Sequence, residues 1–304
     1  MPEFVSSPCV GTCRIDDSSG LCIGCARTRT EIRDWREADP DSRRRIWADL
    51  ASRRTRIGIG LHRLDWTPDD VRSFIMSTLQ PNVGTWVSGI FGAIAEFCVG
   101  PNESVTQTID ASSIAAWTGR GAIRFKIPDD VRAMALSNGE SSRSGIMILA
   151  SPRSRIVPNI PSGLAALGSD REAIHPAGLN QQLYDLGIGS TVVRFCIRTG
   201  DVDLIQELEA YSGRGWSELL TGLGKRILHA SPTRVISSPL GRLEILTPIP
   251  PPDGRSPHGP HTHLLPAQLA SGRETPPGID LPETLTASAI FYPGPTAPDS
   301  ETCH

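Results

Sequence analysis

"TRVISSPLGRLEILTP", residues 233 to 248, decides how the long part of this chain is read. Two β-prone runs flank Pro239, Leu240 and Gly241, the composition of a tight reversal between two strands. A hairpin pairs sequence neighbours antiparallel, and a chain that mixes hairpins with helices is α+β rather than a doubly wound parallel sheet. Working outward, short apolar runs at 122–127, 145–150, 191–197 and 288–292 read as further strands. Helical patches fall at 129–136 ("DDVRAMAL"), 176–187 ("PAGLNQQLYDLG"), 201–211 and 215–228. Another helix starts behind Thr67, with Pro68 at its first position. The span 56–66 reads as a connector.

The expected fold class is therefore α+β. A small four-cysteine metal-knuckle module with two short helices occupies residues 1–56, a larger mixed α+β domain occupies 67–295, and a flexible tail follows over 296–304. Aromatic residues make up only 5%, so the core must rest on Leu, Ile, Val and Ala. Of 30 basic residues only Lys126 and Lys225 are lysine, and the net charge of −3 argues against a chain that is basic throughout. The start, "MPEFVSSPCV", has neither the positive nor the apolar region of a secretory signal. The longest nearly apolar stretch, Trp86 to Gly100, is interrupted by Ser88 and Glu96. It falls short of the about 20 residues a membrane span needs. The expectation is a cytoplasmic protein with no membrane partner, where clustered cysteines serve as metal ligands rather than disulfides.

Four of the seven cysteines, Cys9, Cys13, Cys22 and Cys25, lie within seventeen positions in the spacing C-x3-C-x8-C-x2-C. Two close pairs separated by a hairpin-sized insert let the chain fold back around one point. "DDSSG" at 16–20 supplies the turn, and Gly11 and Gly24 let the backbone aim N–H groups at sulfur. A closed site of this kind places all four sulfurs within about 4 Å of one another. A structural metal can contribute on the order of 10 kcal/mol to a segment too small for a substantial core. Four thiolates suit tetrahedral zinc and iron–sulfur clusters alike.

Beyond the cysteines, Thr28 and Glu31 form a capping box, and the helix behind them carries Ile32 and Trp35 on one face. Asp39 and Pro40 open a second helix with Ile46, Trp47 and Leu50 on one stripe. Its arginines Arg43, Arg44, Arg45, Arg53 and Arg54 are candidates for nucleic-acid contact, although the base-stacking aromatics such a surface uses are missing among them. The pattern S-P-C-x3-C, the acidic turn and "GLCIGCARTRTEIRDW" resemble a small bacterial family of uncharacterised four-cysteine proteins described as predicted Fe–S proteins. The resemblance covers about residues 7 to 54 and implies a four-thiolate site with iron–sulfur or zinc as its cofactor. "SPHGPHTHLLP" and "GRGWSELL" resemble uncharacterised bacterial proteins with no assigned chemistry.

The second region carries one segment with chemistry, "PIPPPDGRSPHGPHTHLLP" at 248–266, with His258, His261 and His263. Alternate residues of an extended chain share a face, so His261 and His263 can present both imidazoles to one metal or phosphate group, with Arg255 and Arg273 as flanking cations. Catalysis there requires a carboxylate to converge on them. Asp201, Asp203, Glu207 and His229 would serve only if the fold brings them near. "IGIG" at 57–60 and "TGLGKR" at 221–226 fail as nucleotide motifs, because the first lacks a preceding strand and the second has Leu219 at the first Walker glycine position. The resulting function expectation is a metal-binding accessory or regulatory protein whose second domain binds a small molecule or protein partner. The alternatives are an enzyme centred on His261 and His263, or nucleic-acid binding by the arginine-rich helix.

Overall fold

The computed structural model describes residues 5–11, 13–136, 145–154, 161–188, 192–251 and 259–294. The expected tail over 296–304, and Arg255 and His258 of the Pro/His-rich segment, lie outside the described residues. Thr28 and Glu31 form the reciprocal box at the start of α1 (Arg29–Arg33), a 3-10 turn follows over Asp34–Arg36, and Asp39 caps α2 (Pro40–Ile57). Gly58 ends α2 at φ +70°, so the first glycine of "IGIG" is a left-handed helix cap. The span read as a connector contains β1 (Leu61–Arg63), and Thr67 with Asp70 boxes the start of α3 (Pro68–Thr78).

From there strands are the main regular elements. β2 (Gly84–Ile90) and β3 (Ala93–Phe97) form a hairpin, and β4 (Thr106–Ile109), β5 (Ser113–Trp117) and β6 (Gly121–Lys126) form a meander. β7 (Arg132–Leu136) pairs with β8 (Ile146–Pro152), and β9 (Ala165–Ser169), β10 (Gln182–Asp185) and β11 (Arg194–Thr199) pair in sequence. After α4 (Val202–Ala210) and α5 (Trp216–Ala230) comes the hairpin β12 (Thr233–Ser238) and β13 (Gly241–Ile245), with Ser238 opposite Gly241 as its sequence implies. β14 (His261–Leu264), α6 (Pro266–Leu269) and β15 (Leu285–Pro293) follow.

The strands form two antiparallel sheets, ordered β1-β7-β8-β15-β2-β3-β14 and β4-β5-β6-β13-β12-β11-β10-β9. Their inner faces share one core, in which Trp86, Phe97, Leu149 and Phe291 meet Ile123, Phe125, Ile236 and Leu243. Trp86 stacks edge-on against Phe125 across the two sheets at 4.7 Å between ring centroids. Ile75 of α3 and the leucines of α4 and α5 extend the same core. The fold is α+β, with the sheets as its two layers.

Two helices read from the sequence are strands instead. "VRAMAL" contains good helix formers, yet β7 lies between β1 and β8 with Ala133 in the inner core and Met134 in the cluster on the other face. Pairing on both sides outweighs local propensity there. "PAGLNQQLYDLG" makes only a 3-10 turn over Pro176–Gly178, turns through Asn180 at φ +64°, and continues as β10. A non-glycine residue in the left-handed region ends any helix at that point.

The seven-stranded sheet buries residues on both faces. Met147 and Leu149 point to the inner core, whereas Ile148 and Ala150 join Met134, Ile279, Ile290 and Val10 in a cluster on the outer face. Val10 belongs to the cysteine module, which is fastened to the sheet by polar contacts as well. Arg63 of β1 donates to the Ser7 carbonyl, and Trp47 of α2 donates to the Ser6 carbonyl at 2.9 Å. Leu50 of α2 is fully buried, while Ile46 and Trp47 of the same stripe are half-buried.

Candidate functional site

The cysteine segment folds back as its turn composition implies. Asp16 accepts from the Ser18 hydroxyl at 2.6 Å and the Ser19 amide at 2.8 Å, and bridges Ile15–Cys22 and Leu21–Thr28 bring the two halves together. Cys22 and Cys25 are buried, Cys9 is half-buried and Cys13 is exposed. Burial disfavours a thiolate at Cys22, yet N–H groups of Gly24, Cys25 and Arg14 aimed at its sulfur bring its pKa below the usual thiol value. Burial pushes the Cys25 thiol up, opposed by the Arg27 guanidinium, whose Nε lies 3.5 Å from the sulfur. Gly11, at φ +96°, directs its N–H to the Cys9 sulfur at 3.3 Å. Both glycines thus aim amides at sulfur, and these are the donors a bound thiolate needs. Cys22 and Cys25 are in hydrogen-bond contact, but among the described residues no three of the four sulfurs lie within 4.8 Å of one another. Cys22 and Cys25 form a close pair, and neither Cys9 nor Cys13 has its sulfur within 4.8 Å of both.

The five arginines considered for nucleic-acid contact are engaged within the module. Arg53 bridges Glu31 at 2.7 Å and Asp49 at 3.0 Å, and Arg44 pairs with Asp41 at 2.6 Å. Arg43 donates to the Trp35 and Arg36 carbonyls, and Arg45 to the Ser42 hydroxyl. Arg54 is buried, with its guanidinium over the Trp47 ring.

A second constellation forms at the far edge of the seven-stranded sheet. β14 is the edge strand and pairs with β3 so that His261 lies opposite Glu96 and His263 opposite Ile94. The alternation expected for His-x-His holds, and Glu96 rises on the same face within reach of both rings. Its carboxylate oxygens lie 3.2 Å from His261 Nε2 and 3.4 Å from His263 Nε2. The rings meet edge to face with centroids 4.3 Å apart. His261 Nδ1 is hydrogen-bonded to the Gly259 carbonyl. Partial burial and the neighbouring His261 ring lower the pKa of His263, against the pull of Glu96. Among the described residues, Glu96, His261 and His263 are the one set of three metal-ligating groups with ligand atoms within 4.8 Å of one another. A cavity of about 290 Å³ opens beside them, lined by Glu96, His263 and Tyr292 and floored by apolar residues including Val87, Ile94 and Ile290.

Arg273 takes no part in this cluster and turns toward Asp280 at 3.4 Å. Asp201 and Glu207 both pair with Arg226 on the helices. Sequence reading missed Glu96, yet its signal was present: one carboxylate interrupting the apolar stretch from Trp86 to Gly100. On a strand, such a residue marks the place where that face stops being apolar.

A model described as "Family of unknown function (DUF6925)" matches residues 70–302. The chain belongs to this family. The match takes in both histidines and Glu96, so the whole second constellation lies inside the DUF6925 region. A separate model, "Protein of unknown function (DUF1289)", matches residues 7–54, which hold the four cysteines and the first two helices. No curated protein and no solved structure matches the chain. No helix among the described residues is long and apolar enough to cross a membrane.

Proposed function

We propose that the chain is a metal-binding accessory or regulatory protein, in which Cys9, Cys13, Cys22 and Cys25 hold an iron–sulfur cluster or a zinc ion and the sandwich binds a small molecule or protein partner. The observation that carries the metal reading is the buried Cys22 sulfur, faced by the amides of Gly24, Cys25 and Arg14 and touching Cys25. A neutral buried thiol has no need of three donors, whereas a metal-bound thiolate keeps its charge and uses them. An ion that balances four thiolates supplies the attraction that draws Cys9 and Cys13 onto the preformed pair.

The regulatory part rests on Val10. It lies between Cys9 and Cys13 and is buried in one apolar cluster with Ile290, a residue that also lines the cavity beside Glu96. An ion held at Cys9 and Cys13 would fix Val10 on the sheet, and the cluster it shares with Ile290 gives a route from that ion to the cavity floor. Engagement of the module's arginines with Glu31, Asp41, Asp49 and backbone carbonyls favours this reading over nucleic-acid binding.

The test is elemental analysis with an optical spectrum on the full chain purified without oxygen. Iron with acid-labile sulfide and a brown colour makes the module a cluster carrier, and one colourless zinc per chain makes it a zinc knuckle. Protein that retains neither, and whose melting temperature is unchanged by Cys22→Ser, rules the proposal out.

A further inference from the structure

We propose that Glu96, His261 and His263 form a second metal site, independent of the cysteines, that takes a divalent first-row transition ion and keeps coordination positions open toward the adjacent cavity.

The first argument is geometric. Bonds of about 2.0–2.2 Å from one ion to imidazole nitrogen and carboxylate oxygen place neighbouring ligand atoms roughly 3.3 Å apart in tetrahedral geometry. Here His261 Nε2 lies 3.2 Å from Glu96 Oε2 and His263 Nε2 lies 3.4 Å from Glu96 Oε1. One ligand atom from each of the three residues falls within 4.8 Å of the others, close enough for small side-chain rotations to bring them onto one ion. The three groups come from adjacent strands in fixed register, so backbone hydrogen bonds of β3 and β14 hold the arrangement rather than side-chain chance.

The second argument is an accounting of protons. A carbonyl oxygen only accepts, so the bond from His261 Nδ1 to Gly259 puts the ring proton on Nδ1. In the neutral ring, Nε2 then carries a lone pair and faces a carboxylate oxygen 3.2 Å away. Two acceptors at that distance require a positive centre between them. A proton on His261 would supply that centre for one ring as an ion pair with Glu96, whereas one divalent ion meets the carboxylate and both imidazole nitrogens together. Backbone support of the non-ligating nitrogen is the arrangement that fixes a histidine ligand's tautomer and orientation.

The donor set also selects the ion. Two imidazoles and one carboxylate suit zinc, iron(II), cobalt(II) or manganese(II) better than the all-oxygen cages of calcium or magnesium. Three protein ligands leave at least one position for water or an oxygen donor. His263 and Glu96 line the cavity, whose remaining wall is mainly apolar with Ser88, Gln268, Glu274, Ser288 and Tyr292 as polar groups. A ligand suited to this site is a small molecule with one metal-binding oxygen group and an apolar body.

The experiment is titration of the metal-stripped full chain with cobalt(II) alone. The expected result is cobalt absorption in two classes, one with sulfur charge transfer and one without. His263→Ala and Glu96→Gln each remove only the second class, with the loss of one metal equivalent per chain, whereas Cys22→Ser removes only the first. Should the variants lose their fold by circular dichroism, copper(II) bound to the wild-type chain serves instead, with hyperfine coupling to two imidazole nitrogens expected. Cobalt absorption that is entirely sulfur-derived, or a copper spectrum without paired imidazole nitrogens, overturns the site and leaves a proton-bridged pin for the edge strand. Because the cysteine site is read by sulfur charge transfer, its failure is distinguishable from failure here.

Discussion

His261 is held from behind as well as in front. The Gly259 carbonyl that accepts from its ring belongs to a residue at φ +130°, and a Cβ there would lie 2.1 Å from Arg120 Nη1. Glycine is required because the Arg120 guanidinium occupies that space. Arg120 is in turn clamped by Glu103, with Nη2 2.6 Å from Oε2 and Nε 3.0 Å from Oε1. The ion pair, aided by the Gly100 amide and opposed by partial burial, draws the Glu103 carboxyl from 4.5 down to about 2. A depressed carboxylate contributes stability that is complete above its unfolded value and is lost as pH falls toward its folded one. Acid unfolding of the wild type should therefore steepen between pH 4.5 and about 2, and Glu103→Gln should flatten that limb while lowering stability at neutral pH. Chemical denaturation across this range checks it, and a variant with the wild-type slope would refute the assignment. His261 was legible in the sequence, whereas Gly259, Arg120 and Glu103, which hold it from behind, were not. Arg120 and Glu103 are 17 positions apart, and they meet Gly259 only because β6 and β13 of one sheet pack against β3 of the other, whose partner β14 follows Gly259.

At the scale of elements, strands were legible where apolar alternation and turn residues agreed, and illegible where helix formers filled a strand. The β12–β13 hairpin was readable because Pro239 and Gly241 left one reversal between two β-rich runs. β7 and β10 were misread because what makes them strands is supplied from elsewhere in the chain. The outer face of the eight-stranded sheet shows the same dependence. Arg198 of β11 reaches Asp170 at 2.9 Å and Glu244 of β13 at 2.9 Å, and Arg242 reaches the same two carboxylates. Glu244 also accepts from the amides of Ile174 and His175, fastening the 170–181 loop over the sheet. Gly178 lies against the Arg198 guanidinium, where a Cβ would come within 2.2 Å of it. With the Arg198 and Glu244 side chains wholly buried, loss of one partner leaves a charge that water cannot reach. Glu244→Gln should lower the unfolding free energy by about 3–5 kcal/mol. Urea titration measures this, and a loss below about 1 kcal/mol, the scale of an exposed pair, would show the network to be solvated.

Across the whole molecule, the cysteine module and the sandwich share one surface. The sequence reading treated them as separate units joined by a connector, since local signals mark where elements begin but not which faces meet. That connector holds β1, which extends the seven-stranded sheet through β7, and its Arg63 grips the Ser7 carbonyl two residues before Cys9. Val10, 7% exposed, sits on Met134, Ile148 and Ile290, and Gly11 packs close to Pro282. A polar residue at position 10 would bury a charge without a partner, so the module would lift from the sheet while the inner core between the sheets stayed intact. Val10→Asp should therefore raise amide exchange in β7, β8 and the 276–285 segment and leave β12 and β13 protected. With the proposed ion held by Cys9 and Cys13, which flank Val10, stripping metal from the wild-type chain should reproduce this pattern in weaker form. Hydrogen exchange by mass spectrometry distinguishes the cases. Exchange confined to residues 7–54 on metal removal, with β7 and β8 unchanged, would mean that the cysteine site stabilises only itself and that the sandwich does not sense it.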